Sequence, residues 1–372
     1  MLQKSKKTLL ALALMGFFVV VSILLIEINY IVYLAITNIF HITPGIGLFI
    51  ELLLLLFSGC FMLMLLIERY YANIVIRFFY INAAIWMGAL VYVFISSVIY
   101  ITATVFFSVP SIAGVGLFLG AIIISLYGFL HGKKIVIKRI EVSLPSLKEE
   151  WKGKKIVWMS DIHLGPINGA KFAEKITKIS NSLFPDLVFI GGDLYDGSHN
   201  PDPYVIAKPL EKLSSSLGVF FVTGNHEEFG DPSIFLNTVQ RLGIKVLDDK
   251  LVEINGLQIV GVDYLNASNK KRFKGILENI KIDIKKPSIL LKHEPKDLDV
   301  AEQAGISLQI SGHTHNGQQW PFNYLTKLMY KGFSYGLKKH GSMQVYVSSG
   351  IGGWGPPLRV GSDYEIVYIT LV

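Results

Sequence analysis

Apolar residues dominate roughly the first third of the chain, in runs too long for an ordinary core. Four stretches, 8–26 (continuing, more polar, to 36), 45–67, 78–107 and 111–130, are each long enough and apolar enough. A helix needs about 20 such residues to cross the hydrocarbon of a bilayer. The third run stops before Pro110. The first exceeds a normal signal-peptide core and lacks a small-residue cleavage site, so a retained span is expected. Together the four predict a transmembrane domain of about four helices over 1–132.

The pattern changes after Lys133. From Lys154 onwards short apolar runs alternate with amphipathic stretches, the rhythm of an α/β domain. The runs 156–159, 187–190, 219–222, 289–291 and 345–347 are continuously apolar, as expected of strands buried on both faces. Helices are predicted over 170–183, 205–215, 232–242 and 295–304. Asp231 suits an N-cap, with Pro232 at the first helical position. Residues 250–263 read as a hairpin turning at Asn255-Gly256. This leaves 133–153 as a linker and 154–372 as the second domain.

Composition sharpens that division. Of the 372 residues 51% are hydrophobic, mean hydropathy is +0.47, and the excess lies before His131. The formal net charge of +7 comes without a basic stripe carrying interleaved aromatics, so no nucleic-acid partner is expected. The positive charges speak instead to orientation. Lys4, Lys6 and Lys7 precede the first span, Arg69 and Arg77 lie between the second and third, and Lys133, Lys134, Lys138 and Arg139 follow the fourth. The connections 37–44 and 108–110 carry neither lysine nor arginine. Positive residues mark the cytoplasmic side, which predicts a multi-pass protein of the cell membrane with both termini and the second domain in the cytoplasm. The single cysteine, Cys60, excludes an intramolecular disulfide and a cysteine-based metal site.

Candidate chemistry gathers where strands are predicted to end. Asp161 and His163 follow the first buried run, and Asp193 and Asp196 follow the second, in Gly191-Gly192-Asp193-Leu194-Tyr195-Asp196. Asn225 and His226 follow the third, in Gly224-Asn225-His226-Glu227. His293 follows the fourth, and His313 and His315 stand in Ser311-Gly312-His313-Thr314-His315. Five of the nine histidines belong to this set. Carboxylates and imidazoles on stiff strand ends suit a metal site, and ligands of open α/β sheets collect at the carboxyl ends of strands. Mixed nitrogen and oxygen donors favour manganese, iron, zinc or cobalt over calcium.

The ordered series Asp-x-His, Gly-Asp-x-x-Asp, Gly-Asn-His-Glu, His and Gly-His-x-His resembles the calcineurin-like metallophosphoesterases over roughly 154–372. The stretches 312–318 and 350–354 look closest to a bacterial, often membrane-associated, YkuE-like subgroup. The resemblance implies a four-layer sandwich of two mixed sheets with helices outside. By position it implies one divalent or trivalent metal ion on Asp161, His163, Asp193 and His315. A second would sit on Asp193, Asn225, His293 and His313, with Asp193 bridging. His226 would protonate the leaving oxygen, and Asp196 would orient it. Two such cations activate a hydroxide and clamp a phosphoryl group for in-line displacement, giving a dinuclear phosphomonoesterase or phosphodiesterase.

The ester itself is less legible. After the last motif come Trp320, Phe322, Tyr324, Leu325, Leu328, Met329 and Tyr330, with Lys327, Lys331, Lys338 and Lys339 among or after them. Such a segment suits either a membrane interface or a small core under a loop. Asn225, Trp354 and Arg359 are candidates for the substrate mouth. A lipid bilayer partner and a phospholipid or lipid-linked phosphate substrate are expected. The alternatives are a tethered enzyme for soluble nucleotides and a non-catalytic membrane sensor of phosphate.

Overall fold

In the computed structural model residues 2–68, 71, 73–197, 202–229 and 231–372 are described; Arg69, one of the orienting charges, lies outside them. The chain divides into two compact units, the first taking the chain up to Ile67 and Asn73–Tyr127, the second Gly128–Val372 together with Glu68 and Tyr71. The first is built from α1 (Leu2–Phe40), α2 (Pro44–Glu68), α3 (Ile74–Phe106) and most of α4 (Ser111–His131). All four helices are long and apolar enough to cross a membrane. Asn73 caps α3 by accepting from the N–H groups of Val75 and Ile76, and Pro110 separates α3 from α4 because it cannot continue a helix. Few apolar side chains are buried here, Val32, Leu54 and Leu90 among them. Polar contacts add to the packing. Asn29 of α1 donates to Ser58 of α2 at 3.0 Å, and the indole N–H of Trp86 of α3 donates to the same hydroxyl at 3.2 Å. Hydrogen bonds of this kind associate helices where the surroundings are apolar.

The second unit begins with β1 (Ile135–Val142), β2 (Lys155–Met159), α5 (Ala170–Ser182), β3 (Leu187–Ile190), α6 (Pro203–Ala207), β4 (Gly218–Phe221), α7 (Pro232–Arg241) and β5 (Lys245–Val246). It continues through β6 (Lys250–Ile254), β7 (Leu257–Gly261), α8 (Tyr264–Ala267), α9 (Lys270–Ile280), β8 (Ser288–Leu291), α10 (Leu298–Gln303) and β9 (Leu308–Ser311). It closes with α11 (Phe322–Met329), β10 (Gly336–His340), β11 (Met343–Val347) and β12 (Tyr364–Leu371). Two six-stranded mixed sheets result, ordered β1-β12-β2-β3-β4-β5 and β10-β11-β9-β8-β7-β6.

The strand period of two explains the layers. In β2, Ile156 and Trp158 face the other sheet while Val157 and Met159 face helices. In β8, Ile289 and Leu291 join the core between the sheets and Leu290 packs outward with Phe273 and Leu277 of α9. Three apolar cores therefore separate four layers: helices, sheet, sheet, helices. Continuous apolar runs are what such doubly covered strands require.

Residues 133–153, expected as a linker, instead contain β1, paired in parallel with β12 from Ile135↔Tyr364 to Val142↔Leu371. Lys138 and Arg139 within it had read as flanking charge; on an edge strand they deter further strand pairing. The helix expected over 205–215 is shorter, α6 giving way to a 3-10 turn over Lys208–Lys212, because Pro209 removes a main-chain donor. The 250–263 hairpin forms as β6 and β7, antiparallel, with Asn255 and Gly256 at φ 47° and 85°, as a two-residue turn demands.

Candidate metal centre

The parallel strands of both sheets end on the same candidate site. Asp161 and His163 follow β2, Asp193 follows β3, Asn225 and His226 follow β4, His293 follows β8, and His313 and His315 follow β9. The chain leaves these strands sharply. Asp161, His163, Asp193, His313 and His315 all have φ between 48° and 69°, a region that costs an ordinary residue roughly 1–2 kcal/mol. Strain of this kind persists where the surroundings fix it and is concentrated at functional sites. Glycines make room: a Cβ on Gly224 would stand 2.2 Å from Oδ1 of Asp193, and one on Gly312 would stand 2.3 Å from Oδ2 of Asp161.

Among the described residues the ligand atoms of Asp161, His163 and His315 converge as one group, those of Asp193, His293 and His313 as another, and those of His163, Asp196 and His226 as a third that shares His163 with the first. Nε2 of His163 and Nε2 of His315 are 3.3 Å apart, and the latter is 3.6 Å from Oδ1 of Asp161. Oδ1 of Asn225 lies 3.2 Å from Nε2 of His293 and 2.8 Å from Nδ1 of His313. A single oxygen, Oδ2 of Asp193, stands 3.2 Å from His293 and 3.8 Å from His163, between the two groups. Two donors on one cation, each about 2.1 Å from it, are about 3.0–3.4 Å apart. The donor set thus fits a pair of cations.

The far side of each ring is held too. Nδ1 of His293 donates to the Gly191 carbonyl at 2.8 Å, and Nδ1 of His163 to the Asp196 carboxylate at 3.0 Å. Each bond leaves the Nε2 lone pair aimed into the site, the usual support of a metal-binding imidazole. Burial opposes charge on these rings, yet Asp196, Asp193 and Asp161 raise His163, and Asp193 with Asp161 pushes His293 up to about 10. The carboxylates thus draw positive charge to the centre, as a cation site should. Burial and the nearby Arg359 hold His315 well below the usual imidazole range. Burial likewise lowers His226, against the pull of Asp193, whose ring stands edge-on to His163 at 4.5 Å.

Two residues stand apart from the ligand atoms. The Asp196 carboxylate bonds Nδ1 of His163 at 3.0 Å, while its main chain bonds the His226 ring and its carboxylate lies within 4.8 Å of that ring. Arg359 is not at a mouth but fully buried. It donates to the His315 carbonyl at 2.9 Å, places Nη2 3.1 Å from Nδ1 of His315, and stacks 4.4 Å over Tyr364. Its planar fork suits that enclosed lattice of acceptors better than an open surface. Trp354 is 47% exposed, its ring 6.2 Å from that of His226.

Two carboxylates carry parts the sequence did not assign. Glu227 accepts from the N–H groups of Asp193, Leu194, Tyr195 and Gly224 at 2.8–3.2 Å, locking the loop after β3 to the loop after β4. Its place in Gly-Asn-His-Glu was the available signal. Glu294 stands 3.6 Å from Nε2 of His313 and accepts from Tyr330 at 3.0 Å; adjacency to His293 was its only clue.

Residues 154–317 match the model of the calcineurin-like phosphoesterase family. The chain is 36% identical over 250 residues to an uncharacterized metallophosphoesterase of Helicobacter pylori, covering 66% of each. The aligned part therefore spans just under two thirds of that relative. Identity is 32% to the metallophosphoesterase YkuE of Bacillus subtilis, over 59% of this chain and 79% of that one. It is also 32% to a Danio rerio transmembrane protein with a metallophosphoesterase domain, over 67% and 60%.

Proposed function

The chain belongs to the calcineurin-like metallophosphoesterase family, and we propose that it is a membrane-anchored, dinuclear metal-dependent phosphoester hydrolase acting on a lipid or lipid-linked phosphate. The observation that carries the proposal is the convergence of seven donor residues from two sheets, with the Asp193 carboxylate between the two groups. Asp161, His163, Asp193 and His315 would hold one cation; Asp193, Asn225, His293 and His313 would hold the other. Manganese, iron, zinc and cobalt all suit these donors. When bound, the pair supplies Lewis-acid polarisation of the ester and a more acidic water.

The protein's own groups do the rest. His226, which converges with His163 and Asp196 but is assigned to neither cation in this reading, offers a ring N–H to the leaving oxygen and passes its proton as the P–O bond breaks. Asn225 offers its amide N–H groups to a phosphoryl oxygen while its Oδ1 stays with the histidines. Trp354, partly exposed beside His226, excludes water from one side of the substrate. Asp196, Arg359 and Glu227 are positioning residues: they hold His163, His315 and the Asp193 loop.

Two features favour a lipid-borne ester over a soluble one. Four helices suit a bilayer, and lysines and arginines mark the face carrying the second unit as cytoplasmic. The test uses full-length protein stripped with chelator and reloaded with manganese. It is offered an aryl phosphodiester, the matching monoester and extracted membrane lipids, with Asp193→Asn as control. Metal-dependent release of phosphate or headgroup from lipid, lost in the control, is expected. Equal turnover of soluble and lipid esters would favour the tethered nucleotide hydrolase. Metal binding without turnover of any ester would leave the sensor reading.

A further inference from the structure

An amphipathic helix normally hides its apolar side. α11 does not: none of its eight residues is buried. Phe322, Tyr324, Leu325, Leu328 and Met329 are all exposed, Leu328 by 78%. Trp320, just ahead of the helix, is exposed as well. A continuous apolar surface of this kind marks a contact with something other than water.

The second unit itself indicates what that contact is. The Trp320 N–H donates to the Val360 carbonyl at 2.7 Å, and the neighbouring Arg359 N–H donates to the carbonyl of Gly128 at 3.0 Å. Gly128 lies in the last turn of α4, a helix of membrane-crossing length that ends at His131. Gly132 continues the contact, a Cβ there standing 2.9 Å from the Pro357 carbonyl. The start of α11 is thus two hydrogen-bonded steps from the point where a span would leave the hydrocarbon. Lys327 and Lys331, both exposed, add positive charge beside the apolar side chains. Tryptophan, tyrosine and lysine in that company suit the headgroup layer, where anionic lipids attract the lysines.

We propose that α11, with Trp320, is an interfacial helix that lies in the headgroup region of the bilayer crossed by α4. Both ends are tied to the metal centre. Trp320 follows His315 by five residues, and Tyr330, next after the helix, stacks edge-on to His313 at 6.2 Å and bonds Glu294. Insertion therefore holds the centre against the membrane surface, within reach of a phosphate at headgroup depth.

The test reads depth, not turnover, so it can fail while the hydrolase reading stands, and the reverse. In a Cys60→Ser background an environment-sensitive fluorophore is attached to Leu328→Cys, to Met329→Cys, or to Lys271→Cys on the outward face of α9. The full chain is placed in bilayers of phosphatidylethanolamine and phosphatidylglycerol, with and without nitroxide-bearing lipid. At 328 and 329 blue-shifted emission and severalfold quenching by the nitroxide lipid are expected, with neither at 271. Emission at 328 and 329 as water-exposed as at 271 would overturn the proposal. So would shielding without lipid quenching, which would mean that a second copy or another protein covers the helix.

Discussion

Around the centre, a ring's role follows from what stands behind it. His163 and His293 each give their Nδ1 proton to an acceptor, which leaves Nε2 towards the site. In the proposed function these two bind metal and His226 acts on substrate. His226→Ala should keep its metal content by elemental analysis while turnover falls about 10²–10⁴-fold, the usual worth of a general acid; unchanged turnover would remove it from the reaction. The residue types were readable because five motif blocks, in order, leave little freedom in what they can be. Their supports were not. Nothing in the run Pro356-Pro357-Leu358-Arg359 tells whether the arginine faces solvent or the back of a histidine, since that depends on the loop folding under residues 315–318. Asp196 shows the same limit: spacing gives proximity to the site but not that its carboxylate bonds His163 while its main chain bonds His226.

At the scale of elements, the apolar runs located the central strands because burial on both faces leaves no polar residue in them. Edge strands were harder. β1 exposes Lys138 and Arg139 and so resembled a charged linker, and β5 is only two residues long. The connection from β5 to β6 carries its own titrating group. Burial pushes the Asp248 carboxyl up to about 7, with Asp263 and Asp249 adding to the rise against the Thr223 N–H. A folded pKa above the unfolded value near 4 means that the native state holds the proton longer. Its stabilising contribution is complete below about pH 4 and lost as pH rises towards 7. Asp248→Asn should therefore flatten the decline in melting temperature between those values, gaining most over the native chain above pH 7. Parallel melting curves for the two proteins at any pH from 4 to 8 would contradict this.

For the whole molecule, the division into a helical membrane-type unit and a sheet unit was legible from hydropathy alone, because lipid and water select opposite surfaces. Side chains such as Leu56 and Ile123, 65% and 66% exposed, would be a liability in water and are the favoured surface in a bilayer. The lysine and arginine pattern is the basis of the proposed orientation, with the sheet unit in the cytoplasm. A reporter fused after Val372 should be active only in the cytoplasm, and labelling of the sheet unit from outside intact cells would reverse the topology. Substrate identity was not legible, since the same donor set serves many esters. The paired cations are tested most directly by elemental analysis of full-length protein after reloading. Two ions per chain are predicted, falling to one or none in Asp193→Asn, whose amide cannot bridge. A single ion in the native protein, or two retained in the variant, would contradict the dinuclear centre.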